Sequence, residues 1–218
     1  MKTRNLSFLT LVVALAFIIT GCSGSGGDAA VAPTNPTANS DATGVWEGTF
    51  TENGVGTFGL TGIVVGNQLR FISTDGGAIY VGTISVSGTN FTATTTNYQI
   101  GGTVFSTANL SGTVTTKSKL SGTFTSSIGA TGSFSLTYDT VTDKGSSLAI
   151  TDGNWTETSG GSTTTISINS TGARTGSDTA GCVYLGSVSI INSSVNIYNL
   201  SISASSCGVF NGTYAGYI

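Results

Sequence analysis

Histidine is absent from the 218 residues, which removes much of the side-chain chemistry that operates near neutral pH. A Ser-His-Asp triad and an imidazole metal site are both excluded. What remains is carboxylate, hydroxyl and thiol. Glu47 and Glu157 each follow a Trp, in Trp46-Glu47 and Trp155-Thr156-Glu157. Two carboxylates facing each other across a cleft would suit glycoside hydrolysis, so a membrane-tethered, carboxylate-dependent hydrolase is the enzymatic alternative. Glu47, however, adjoins the core position Trp46 on an alternating segment, which turns it toward solvent, and Glu157 is likewise expected to be a solvated acid. Asp139, Asp143 and Asp152 fall together without the spacing of a calcium loop and read as solvated turn acids. No catalytic residue, metal ligand or cofactor is assigned.

The three cysteines divide by position. Cys182 and Cys207 are an even pair in what reads as an exported domain, and a bridge between them would close a loop of about 25 residues, stabilising by roughly 3 kcal/mol. Their spacing is not C-x-x-C and no basic residue adjoins them, so a structural disulfide is expected in preference to a redox pair. Cys22 has a different context. Lys2 and Arg4 precede an apolar run over residues 8–19, which ends in Ile19-Thr20-Gly21-Cys22. That order, basic start, apolar run, small residues and Cys, is a secretory signal too short for a comfortable span.

The ending resembles the bacterial lipobox. The resemblance implies cleavage of residues 1–21, diacylation of Cys22 and, with Ser23 rather than Asp following, sorting to the outer membrane. Residues 22–43 are rich in Gly, Ala, Ser, Thr, Asn and Pro and read as a flexible tether. Losing Lys2 and Arg4 takes the net charge from −3 to −5, so no basic patch is left for nucleic acid. The expected partners are the membrane, through the lipid anchor, and a ligand or envelope protein.

From Val45 onward, short period-two runs alternate with Gly, Asn and Asp turns about every ten residues, which leaves room only for hairpins. Strands are expected at 45–50, 68–73, 79–86, 91–98, 104–115, 120–125 and 133–138. No window carries a helical stripe. The pattern also repeats. Gly44-Val45-Trp46 is echoed by Gly153-Asn154-Trp155, Ile79-Tyr80-Val81-Gly82 by Val183-Tyr184-Leu185-Gly186, and Leu120-Ser121-Gly122-Thr123-Phe124 by Phe210-Asn211-Gly212-Thr213-Tyr214. The second copy is shorter, as though a hairpin were lost. Parts at 44–145 and 146–218 follow.

The two Gly-x-Trp openings resemble those of lipocalin-like barrels, and the layout is similar to small envelope lipoproteins without an assigned role. The resemblance implies an all-β, up-and-down, barrel-like meander in two repeated parts. Closure would also remove the edges that so sparsely charged a sheet exposes. The function expected is a non-enzymatic binding or structural module for a ligand, glycan or partner protein, with Trp46, Tyr80, Tyr98, Trp155, Tyr184 and Tyr198 as contact candidates.

Overall fold

The computed structural model describes residues 38–99 and 101–218. Cys22, the apolar run before it and most of the proposed tether lie outside the described residues. The remainder is built from fourteen antiparallel strands in two sheets.

The first eight strands close into a barrel in simple sequence order: β1 (Gly44–Glu52), β2 (Gly56–Val65), β3 (Gln68–Ser73), β4 (Ala78–Ser87), β5 (Asn90–Gln99), β6 (Val104–Thr115), β7 (Lys119–Ser126) and β8 (Thr131–Asp139). The seam is β1 against β8, with Val45 opposite Asp139 and Glu52 opposite Gly132. Alternation decides which residues point inward. On β1 these are Trp46, Gly48, Phe50 and Glu52, with Glu47 and Thr49 exposed between them. Eight strands leave an interior that side chains can fill or that can hold one small ligand. Glycine lets neighbouring strands bend closely together: Gly112 lies opposite Gly122, and a Cβ on either would come within 2.1 Å of the facing carbonyl oxygen.

Past the barrel, the chain makes a short 3₁₀ turn at Thr140–Lys144 and one helical turn at Leu148–Thr151. Both are capped by side chains, Asp139 accepting from Val141 N–H and Ser147 from Ala149 N–H. These turns were not expected from the sequence, since capping rather than apolar periodicity creates them. Thr142, fully buried, accepts from the Val45 N–H at its hydroxyl and from the Asn196 N–H at its carbonyl.

The second sheet runs β9 (Gly153–Ser159), β10 (Ser162–Ile168), β11 (Ala173–Asp178), β12 (Val183–Ile190), β13 (Tyr198–Ser205) and β14 (Gly212–Tyr217). It has six strands in the same meander order and does not close, so β9 and β14 are free edges. It has two strands fewer than the barrel, but the shortening is not one lost hairpin: between the segments of the last two matches the barrel has β5 and β6 and this sheet has β13 alone. Its buried apolar cluster is small, centred on Ile166, Ile168, Val188 and Tyr198. Cys182 and Cys207 form a disulfide across the ends of β12 and β13, with Cα atoms 4.6 Å apart.

The repeat is visible in atomic detail. Trp46 Nε1 donates to the Ala42 carbonyl at 2.9 Å and Trp155 Nε1 to the Thr151 carbonyl at 3.1 Å, each four residues back. The glycine two before each Trp has φ +155° and +143°. At Gly44 a Cβ would lie 2.4 Å from the Tyr138 ring.

Candidate functional site

The two ends of the barrel differ. Around Trp46, the inward side chains Val64, Leu69, Val114, Leu120 and Leu136 are all within 1% of complete burial. Tyr138 meets Trp46 edge-on at 5.5 Å between ring centroids. Residues 39–42 cover this closed end. Ser40 N–H donates to the Gly88 carbonyl and Asp41 N–H to Thr116 Oγ1, and Asn39 Oδ1 accepts from Gly88 N–H. The end of the expected tether is therefore part of the folded barrel.

At the other end the interior opens into a cavity of about 250 Å³. That exceeds the roughly 150 Å³ known to admit benzene in an apolar protein interior. Its walls are aromatic. Phe50 is the hub, stacked on Phe58 at 5.2 Å and edge-on to Tyr80 at 6.0 Å and Phe124 at 6.1 Å. Phe71, Phe134, Leu60 and Leu110 complete the apolar lining. The rim is apolar too, with Val55 65% and Ile128 66% exposed in the β1–β2 and β7–β8 turns and Phe105 at the start of β6.

Polar groups occupy defined places in this apolar wall. On β5 and β6, Thr95, Asn97 and Ser106 are buried and hydrogen-bonded in a row. The Thr95 hydroxyl donates to Asn97 Oδ1 at 2.7 Å, and Asn97 Nδ2 donates to Ser106 Oγ at 2.8 Å. The row leaves the second Asn97 N–H and the Ser106 hydroxyl proton uncommitted within it. Across the opening, Glu52 lines the cavity as the last inward residue of β1.

Tyr80 faces the same space, and its hydroxyl is pushed up to about 12 by burial and then by the Glu52 and Asp75 carboxylates. Asp75 itself is held below the usual carboxylate range, first by the Gly59 N–H and then by the Ser73 hydroxyl. The Gly59 N–H reaches its two oxygens at 2.8 and 3.1 Å, and the Ser73 hydroxyl donates at 2.9 Å.

Of the six contact candidates named from the sequence, only Tyr80 lines this cavity. Trp46 is fully buried in the closed end and has no surface to offer a ligand. Tyr98 follows the register irregularity on β5 and lies outside the cavity lining. In the second sheet, Trp155 is 54% exposed, the Tyr184 hydroxyl donates to Asp178, and Tyr198 is buried with its hydroxyl bonded to the Ser147 backbone. Glu47 and Glu157 are exposed on β1 and β9, in separate sheets. Among the described residues no group of three or more carboxylate or thiol side chains is placed to hold a metal ion.

Sequence reading missed Glu52, Asn97 and Ser106. The signal for Glu52 was present, because it shares the parity of Trp46 and Phe50, but the strand expected at 45–50 stopped short of it.

Comparison with family models, with curated proteins and with solved structures finds no match for the chain. Function is therefore read from the barrel's own chemistry.

Proposed function

We propose that this chain is a non-enzymatic binding module, lipid-anchored in the cell envelope through Cys22, whose barrel takes up a small, largely apolar ligand. The observation that carries the reading is the cavity itself: an aromatic-walled space of about 250 Å³, open at one end and sealed at the other by Trp46. An apolar pocket with a few convergent polar groups is the common form of a small-molecule site. The Thr95-Asn97-Ser106 row and Tyr80 supply those groups, so the ligand carries a polar head toward the mouth and an apolar body toward Trp46. The carboxylate-hydrolase alternative lacks comparable support, because Glu47 and Glu157 share no cleft.

Binding of the neutral dye N-phenyl-1-naphthylamine tests the reading. Saturable emission enhancement is expected for the wild type. Ala108, buried on β6 in the cavity wall, provides the control: Ala108→Trp fills the space and abolishes the enhancement, with circular dichroism reporting the intact sheet. No saturable binding, or binding indifferent to the filled cavity, would sink the proposal. The anchor is tested separately by fatty-acid labelling, which Cys22→Ala should eliminate.

A further inference from the structure

Resting on the barrel being a binding site, a narrower conclusion follows about what enters it. Among the residues lining the cavity, Glu52 alone carries a formal charge, and no Lys or Arg is among them. Its inward orientation is fixed by strand parity with Trp46, Gly48 and Phe50, so an acid has been placed on the interior face of an otherwise apolar barrel. The carboxylate has no ionic partner among the described residues, whose ion pair joins Lys117 of the β6–β7 turn to Asp143 of the 3₁₀ turn after β8, at the opposite end. Asp75, in the neighbouring β3–β4 turn, is held ionised by the Gly59 N–H and Ser73 hydroxyl and adds a second negative charge near the mouth.

The same space is walled by the ring faces and edges of Phe50, Phe58, Tyr80 and Phe124. Aromatic faces carry negative electrostatic potential and attract organic cations, most strongly where water is excluded. An anionic ligand would meet two carboxylates without a compensating cation. A neutral one would leave Glu52 half-covered and unpaired, at a desolvation cost.

We propose that the barrel selects small organic cations: an ammonium head held between Glu52 and the aromatic rings, with an apolar, ring-sized body beneath it. The protein supplies the anion and the π-faces, and the ligand supplies the positive charge.

Three compounds of similar shape and different charge test this on the mature full-length chain: phenyltrimethylammonium, neutral tert-butylbenzene and anionic benzenesulfonate, each measured by displacement of the naphthyl dye. The cation is expected to bind at least tenfold more tightly than the neutral compound, and the anion at least tenfold more weakly. Glu52→Gln should bring the cation-to-neutral ratio close to one, while Glu47→Gln, on the exposed face of the same strand, should leave the ratio as in the wild type. If the neutral compound binds as well as the cation, or the preference survives in Glu52→Gln, the cation assignment is wrong and the barrel remains a binding site. If the dye and all three compounds fail to bind, the binding reading falls and this inference with it.

Discussion

Tyr80 and Tyr184 occupy matching places in the two repeats, yet their hydroxyls are used differently. Tyr184 donates to Asp178 at 2.8 Å, which raises the phenol and lowers the acid. In the barrel, Asp75 is instead taken up by Gly59, Ser73 and Gly76, and Tyr80 keeps a hydroxyl facing the cavity. Alkaline difference spectroscopy should show one tyrosine ionising near pH 12, and Tyr80→Phe should remove that last step. Because the folded value lies above the ordinary 10, Tyr80 costs nothing below pH 10 and destabilises the fold progressively as pH rises from 10 toward 12. The carboxylates act in the other direction. Asp75, Asp143 and Asp178 are all held below their ordinary value, Asp143 first by Lys117 at 2.7 Å. Their contribution is present above about pH 4 and lost as pH falls through the lower folded values. Urea midpoints should therefore drop below pH 4, and less steeply in Asp143→Asn. A flat acid profile would contradict these interactions.

Among the elements, β1 and β9 begin alike and end in different surroundings. Trp46 is wholly enclosed by the strands of a closed barrel, whereas Trp155 makes the same backbone bond but lies on an open sheet, 54% exposed. Trp46→Ala should cost about 3–5 kcal/mol, as large aromatic deletions in cores do. Trp155→Ala should cost less than half of that, measured by denaturant unfolding. Gly62→Ala is expected to destabilise the barrel as well, since a Cβ there would lie 1.8 Å from the Phe71 ring and 2.3 Å from the Arg70 carbonyl oxygen. Much of this was legible beforehand. Period-two alternation located seven of the eight barrel strands, and the Gly- and Asn-containing turns marked their ends. β2 was passed over because Gly56, Gly59 and Gly62 thin out its apolar alternation. Closure was expected from the resemblance and from the sparsely charged edges but was not legible in the periodicity, because it depends on β1 meeting β8 across some ninety residues of sequence, and alternation reports which way a side chain points without reporting its neighbour strand. The aromatic cavity followed the same logic: each Phe could be assigned an inward parity, but only closure brings Phe50, Phe58 and Phe124 around one space.

At the scale of the whole molecule, the disulfide belongs to the half that needs it. The barrel has a continuous core from Trp46 to Phe134, while the open sheet has a small cluster and two free edges. Reducing Cys182–Cys207 should lower the stability of the second sheet by roughly 3 kcal/mol in the loop-entropy picture, leaving dye binding in the barrel intact. Calorimetry with and without reductant, alongside the dye assay, would show whether the two halves respond separately. The barrel seam has a mechanical consequence. β1 begins and β8 finishes at the closed end, where residues 39–42 arrive and the connection to the second sheet departs. If the N-terminus is held at a membrane, as proposed above, tension between it and the second half would pull two adjacent antiparallel strands apart from the same end, breaking their hydrogen bonds one after another like a zipper. The Val45–Thr142 bond and the Ser40–Gly88 clasp would be the first to bear it. A load applied instead through the mouth, for example at Val55→Cys, would slide β1 lengthwise against β2 and β8 and strain both ladders at once. Optical-trap extension should therefore open the barrel at lower force in the first geometry than in the second, so that drag on the second half, rather than on the mouth, is the pull that would empty it.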